Sequence, residues 1–154
     1  MKLSHIQDGR AKMVDISDKS DITRKAIAAG EIKLKGETLE AIKNKEVEKG
    51  EVLETARIAA VMAIKQTSSV IPMCHNILIS SIDVRFDTGA DTIETTVEVR
   101  SVGKTGVEME ALHGVTVALL TIWDMVKSAE KDDTGNYPFT VIRNIRVIEK
   151  SKGY

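Results

Sequence analysis

The sequence is short of the residues on which several familiar kinds of site are built. Its 154 residues include one cysteine, Cys74, which excludes an intrachain disulfide and every zinc module made from several cysteines. Two phenylalanines, two tyrosines and one tryptophan are the only aromatics. The core must therefore be aliphatic, and there is no supply of stacking platforms for single-stranded nucleic acid. Lysine and arginine number 22 against 23 aspartates and glutamates, a formal net charge of −1. That balance argues against a general DNA-binding surface, whose footprint is strongly basic. The two prolines, Pro72 and Pro138, and the absence of any serine- or glycine-rich stretch leave no obvious linker. No run approaches the roughly 18 apolar residues of a membrane span, and residues Met1 to Arg10 lack the apolar segment of a secretory signal. What is present is 42% hydrophobic and 29% charged, the composition of a folded chain rather than a disordered one. The expectation is a soluble, cytoplasmic protein with one domain over residues 13–154 and a mobile N-terminal arm over 1–12, without nucleic-acid or membrane partners.

Periodicity supplies the elements. Thr23 to Lys35 reads as extended, Gly36 to Lys43 as a short helix with Leu39 and Ile42 on one side, and Glu51 to Gln66 as a stronger helix. On that second helix Val52, Ala56, Ala59 and Ala63 recur with Leu53, Ile58 and Met62, and its alanines leave room for a close neighbour. Pro72 argues against further helix after Ser69. Residues 77–103 predict a hairpin: Leu78, Ile82, Val84 and Phe86 share one face, and Ile93, Thr95, Val97 and Val99 alternate with polar partners beyond a turn at Asp87 to Asp91. A long helix over about Val107 to Lys131 follows, with Met109, Leu112, Thr116, Leu119, Trp123 and Val126 as its stripe, then a strand from Phe139 to Glu149. Strand, helices, strand, strand, helix, strand is the order of a ferredoxin-like split βαβ fold in the α+β class, an antiparallel sheet with helices packed on one face. That fold decides no function.

Several constellations could carry chemistry, and each has a plainer reading. Gly103-Lys104-Thr105 invites comparison with a phosphate loop, but the position five residues before Gly103 is Glu98 rather than glycine. It remains either an anion-holding turn at a helix N-terminus or a plain hairpin-to-helix connection. Cys74 and His75 are adjacent and point to opposite sides of an extended chain, which disfavours a Cys/His catalytic pair. His75 alone suits either a structural place or general acid/base work near neutral pH. Glu108 and Glu110 open the long helix, where the helix dipole already favours acidic residues. Asp124 and Lys127, with Lys131, lie on one helical stripe, as a surface ion pair or as an acid/base pair in a pocket.

Taken together these segments resemble the molybdenum cofactor biosynthesis protein C family, the cyclic pyranopterin monophosphate synthases. The resemblance runs from Met13 to Lys150 and rests on Met13-Val-Asp-Ile-Ser17, Lys49-Gly50 ahead of Thr55-Ala-Arg-Ile-Ala59, Ile71-Pro-Met-Cys-His75, Gly103-Lys-Thr-Gly-Val-Glu-Met-Glu-Ala-Leu112, and Thr121-Ile-Trp-Asp-Met125 followed by Lys127. It implies a phosphorus–oxygen lyase that rearranges 3′,8-cyclo-7,8-dihydroguanosine 5′-triphosphate into cyclic pyranopterin monophosphate and releases pyrophosphate. It implies the same ferredoxin-like fold, and a homo-hexamer built as a trimer of dimers with active sites at the dimer interface. The alternative is a non-catalytic oligomeric ligand-binding domain of the same fold, which leaves the Asp124/Lys127 and His75 blocks without a purpose. An RNA-binding module on this fold would need aromatics on its central strand, and residues 93–100 hold none.

Residue by residue, the resemblance makes Asp124 and Lys127 the catalytic pair. Met73, Cys74, His75, Met109 and Glu110 become substrate-contacting, with Glu108 in the same acidic pocket. Asp15, Lys19, Arg24 and Lys49 match mobile-loop or phosphate-facing positions, and Lys150 a lysine of the final strand, a role that Lys152 could also fill in this short tail. The family usually carries proline after its Cys-His pair, where this chain has Asn76. No metal or redox cofactor is implied, though a divalent cation such as magnesium could accompany the triphosphate. The reaction moves several protons without redox change and expels pyrophosphate, which suits an acid/base set beside converging cations.

Overall fold

A computed structural model describes residues 6–7 and 9–153. Two short strands, β1 (Ile6–Gln7) and β2 (Arg10–Ala11), pair antiparallel as a hairpin of their own. Part of the arm expected over residues 1–12 is thus paired, and the rest, residues 1–5 and 8, lies outside the described residues. The domain proper follows as β3 (Ile22–Lys33), α1 (Gly36–Lys43), α2 (Val52–Lys65), α3 (Thr67–Val70), β4 (Ile79–Thr88), β5 (Thr92–Gly103), α4 (Glu108–Glu130) and β6 (Val141–Lys152). The last four strands form an antiparallel sheet in the order β4-β5-β3-β6. With β3 and β5 adjacent at its centre and α2 and α4 against it, this is the expected ferredoxin-like α+β fold.

Local sequence explains most of the sheet. Along β5, Ile93, Thr95, Val97 and Val99 are buried while the residues between them are not, the period-2 pattern of a strand with one covered face. Register then carries that pattern sideways, from Ile22 opposite Gly103 to Lys33 opposite Thr92. Strand β6 is less regular. Its register against β3 shifts twice, between Ile27 and Ala28 and between Ala29 and Glu31. Asn144 takes φ 58° at the second shift, a left-handed conformation that asparagine tolerates better than most residues. The bulge seats Ile145 over Gly30, where a Cβ would lie 2.8 Å from Ile145 Cγ1 and 3.0 Å from Leu119 Cδ1 and Val115 Cγ1.

The helix layer corrects several expectations. The buried side of α4 consists of Ala111, Gly114, Val115, Ala118, Leu119, Ile122, Met125 and Val126, so the predicted stripe is rotated and Met109 and Thr116 face outward. Packing against both α2 and the sheet widens the apolar arc beyond a single stripe. On α2 the buried set is Val52, Ala56, Ala60, Ala63 and Ile64, while Ile58 and Met62 stand 61% and 54% exposed. Leu78 is 87% exposed, because β4 begins only at Ile79 and its register slips between Ile79 and Ser81. One further turn of helix, α3, forms over Thr67–Val70, where no element was expected, and it stops ahead of Pro72 with Ile71 extended. By length and composition α4 could cross a membrane, yet here it is the core helix.

The C-terminal end of α4 is fixed by a buried carboxylate. Glu130 is 0% exposed and accepts from the Lys35 backbone N–H at 3.1 and 3.3 Å, from Thr38 Oγ1 at 2.5 Å and from Thr140 Oγ1 at 2.5 Å. One side chain therefore joins α4, the start of α1 and the approach to β6, and satisfies donors at the α1 N-terminus that lack an internal partner. Glu130→Ala is expected to lower the unfolding free energy by about 3 kcal/mol, since it strands two buried hydroxyls and an N–H. Urea denaturation of the two proteins measures this, and a loss under about 1 kcal/mol would mean that water replaces the carboxylate.

Candidate active site

The N-terminal end of α4 faces a cavity of about 330 Å³. Its walls come from three places: Met73, Cys74, His75 and Ile77 after α3; Thr105, Gly106, Met109 and Glu110 at the opening of α4; and Val14, Ile16 and Lys19 ahead of β3. Pro72 and Met73 sit in a turn closed by the Cys74 N–H on the Ile71 carbonyl at 3.1 Å, which delivers Cys74 and His75 together, and both line the cavity. The imidazole's hydrogen bond is to Val14 rather than to Cys74, with Nε2 2.7 Å from the Val14 carbonyl oxygen. A carbonyl only accepts, so Nε2 carries a hydrogen.

Burial dominates the titration of this cavity. It pushes the Cys74 thiol up, and the charge of Glu110 adds to the effect, so the sulfur rests as a thiol and not as a nucleophilic thiolate. Glu110 is 3% exposed, and burial likewise raises its carboxyl, with Glu108 adding repulsion. Glu108 goes the other way. Burial alone would raise it, but the Lys150 ammonium at 2.6 Å, its own backbone N–H and the nearby Arg24 together hold it below the usual carboxylate range.

A second hollow of about 240 Å³ meets the first at Gly106 and is lined by Arg24, Lys25, Glu108, Lys150, Ser151 and Lys152. Strand pairing assembles it: Arg24 lies opposite Lys152 and Ala26 opposite Lys150. Both candidate terminal lysines therefore reach it, and Lys150 is the one paired with Glu108. Arg24 is braced by Nε on the Gly103 carbonyl and Nη2 on the Lys104 carbonyl, each at 3.2 Å.

The predicted catalytic pair sits elsewhere. Lys127 Nζ donates to Asp124 Oδ1 at 2.8 Å, and Lys49 Nζ donates to Asp124 Oδ2 at 3.0 Å and to the Asp124 carbonyl at 2.7 Å. Lys49 reaches this point from the loop after α1, which Gly50 at φ 103° turns into α2. The hydrogen bond from Lys127, then that from Lys49, lowers the Asp124 carboxyl. Asp124 in turn raises Lys127, with Tyr137 contributing. The set is a carboxylate between two ammonium groups, open to solvent on one side. From Glu110 to Asp124 the helix rises about 21 Å at 1.5 Å per residue. A single chain thus brings His75, Met109 and Glu110 together, and Asp124, Lys127 and Lys49 together, but not the two sets.

The model of the MoaC family matches residues 13–153. The chain belongs to the MoaC family. A relative from Methanosarcina mazei, named probable cyclic pyranopterin monophosphate synthase, is 65% identical over 150 residues, 97% of this chain and 96% of its own. Relatives of the same name from Archaeoglobus fulgidus and Pyrococcus furiosus are 59% identical over 153 residues and 55% over 152, each covering 99% of this chain and 98% and 97% of their own.

Asp15 and Lys19 occupy the segment ahead of β3, and there Asp15 serves the segment itself. Its Oδ1 accepts from the Ser17 hydroxyl at 2.6 Å and the Ser17 N–H at 2.9 Å, which lowers its carboxyl value. Val14, Ile16, Ile77, Thr105 and Gly106 on the cavity wall, and Tyr137 beside Lys127, escaped the sequence reading. Val14 and Ile16 stand in the Met13-Val-Asp-Ile-Ser17 block, and Thr105 and Gly106 in the Gly103-Lys-Thr-Gly block, of the family resemblance, whereas Ile77 and Tyr137 carry no sequence signal as site residues. Among the described residues no group of three or more His, Cys, Asp and Glu side chains is placed to hold a metal ion.

The raised Glu110 carboxyl makes stability depend on pH. Folded protein holds this proton at pH values where the unfolded chain has released it. The resulting stabilisation is complete below the ordinary value of 4.5 and is lost as pH rises through the raised value. Glu110→Gln removes that dependence. Relative to the variant, the wild type is expected to lose stability as pH climbs above 4.5, then to level off. Urea midpoints across that range test it, and a difference that does not vary with pH would rule out a raised Glu110.

Proposed function

We propose that this protein is a cyclic pyranopterin monophosphate synthase, a lyase that converts 3′,8-cyclo-7,8-dihydroguanosine 5′-triphosphate to cyclic pyranopterin monophosphate and pyrophosphate in molybdenum cofactor assembly. The observation that carries this reading is the meeting of two unlike hollows at Gly106. One is lined by His75, Met109 and the buried Glu110, and suits the fused rings of the substrate. The other sets Arg24, Lys25, Lys150 and Lys152 around a single carboxylate, Glu108, and its excess of cations suits the phosphates.

The charges fit the chemistry. His75, held through Nε2 on the Val14 carbonyl, offers Nδ1 for proton transfer, and the raised Glu110 can hold or give a proton near the ring system. Ring closure joins a ribose oxygen to the α-phosphorus as the bond to the β-phosphate bridging oxygen breaks. The hydroxyl proton passes to a base, and the leaving pyrophosphate carries the negative charge, which Arg24, Lys150 and Lys152 can neutralise. Asp124, Lys127 and Lys49 form a second acid/base set. A divalent cation, if present, enters with the triphosphate.

In this reading the separation of about 21 Å along α4 is bridged by a neighbouring copy, with Asp124, Lys127 and Lys49 acting on substrate held by that copy. The trimer of dimers that the family resemblance implies supplies such neighbours. Large apolar side chains on the outer faces of the helix layer, Ile58 and Met62 on α2 and Leu120 (59% exposed) on α4, give a second copy a surface to cover.

Asp124→Asn and Lys127→Ala are expected to fold normally and to release pyrophosphate from the cyclic triphosphate at least ~10²-fold more slowly than wild type. Lys49→Ala is expected to weaken both affinity and rate. Wild-type rates for the first two variants would remove the pair from the reaction. A wild-type protein that binds the cyclic triphosphate and releases no pyrophosphate would favour the non-catalytic ligand-binding reading.

A further inference from the structure

The Gly103-Lys104-Thr105 turn is not used by the chemistry above, and its lysine does not line the phosphate hollow. Lys104 instead faces a smaller recess of about 220 Å³ behind the segment that walls the cavity, beside Ile16 and Asn76. Its Nζ donates to the Ser17 carbonyl at 2.7 Å. That segment, residues 13–19, lies between β2 and β3 and pairs with no strand. It is folded on itself by the two Ser17 bonds to Asp15 and by the Lys19 N–H on the Ile16 carbonyl at 3.1 Å. Its near end is held by His75 through the Val14 carbonyl, and the far end by Lys104.

We propose that Lys104 is a positioning residue, whose ammonium pins a strap formed by residues 14–19 against the cavity and so keeps Ile16 and Lys19 on its wall. The anchor is itself anchored. Arg24, from the phosphate hollow, bonds to the carbonyl groups of Gly103 and Lys104, so the backbone that carries Lys104 is fixed from the side where the phosphates lie. The strap has no ladder of its own, and the charge-assisted bond from Lys104 to the Ser17 carbonyl is what ties its far end to the α4 side of the cavity. Removing that bond raises the cost of ordering the strap on binding, which substrate must then supply. The chemistry after binding is left intact.

The test uses the full chain with Lys104→Met, which keeps the apolar stem, and Lys104→Arg, which keeps a donor. Its kinetic arm rests on the synthase reading, and its exchange arm does not. Lys104→Met is expected to raise KM about tenfold while kcat stays within about threefold, a loss near 1.4 kcal/mol in binding. Amide hydrogen exchange over residues 14–19 and tryptic cleavage after Lys19 should both quicken, and Lys104→Arg should recover most of each change. Unaltered exchange in Lys104→Met would overturn the proposal. So would quicker exchange with an unchanged KM, a fall in kcat at constant KM, or an arginine variant no better than the methionine one. Should the wild type not turn over the cyclic triphosphate, the synthase reading fails, and exchange alone decides whether Lys104 holds the strap.

Discussion

Helix α4 is both the spine of the domain and the ruler of its site. Glu108, Met109 and Glu110 sit on its first turn and Asp124 and Lys127 near its last, so its length sets the distance between two groups of reactive side chains. Nothing in the packing lets that distance change. Gly114 lets Ile64 of α2 approach so closely that a Cβ would lie 2.7 Å from its Cδ1, Val115 and Leu119 press on Gly30 of the central strand, and Glu130 ties the last turn to α1 and to the start of β6. Close-packed interiors resist bending of this kind. The second copy proposed for the reaction thus follows from the rigidity of the core if both groups act on one substrate.

The electrostatics follow the same division. Overall neutrality conceals local pairing: Lys150 with Glu108, Lys49 and Lys127 with Asp124. These pairs are exposed or half-buried and add little to stability. Their effect is to hold each charge in place and to fix its ionisation, with Asp124 anionic and Lys127 cationic. The cavity at the other end of α4 is governed by burial instead, which favours the neutral forms of Glu110 and Cys74. Two sets of titratable groups are thus tuned in opposite directions by opposite causes.

Much of this was legible in the sequence, and what was not has physical reasons. The alternation along β5 and the i, i+3 spacing of Asp124 and Lys127 are local, and local patterns survive reading one residue at a time. Apolar residues run nearly around α4, so periodicity alone does not say which meet α2 and which the sheet. Alternation alone places Leu78 on a buried face, because a register slip at Ile79 leaves no trace in composition. The bond from Lys49 to Asp124 and those of His75 and Lys104 to backbone carbonyls join residues far apart in sequence, and a carbonyl acceptor has no sequence signature at all. The family resemblance pointed to Lys49 and His75 but could not supply those partners.

The central claim is that one working site takes its acid/base set from one copy and its binding cavity from another. Mixing two inactive variants after joint denaturation and refolding tests this most directly, one carrying Asp124→Asn and the other His75→Ala. Shared sites predict that hybrids regain pyrophosphate release from the cyclic triphosphate, because some interfaces then pair an intact Asp124 with an intact His75. A mixture as inactive as its two components, in assemblies shown to contain both chains, would contradict the account.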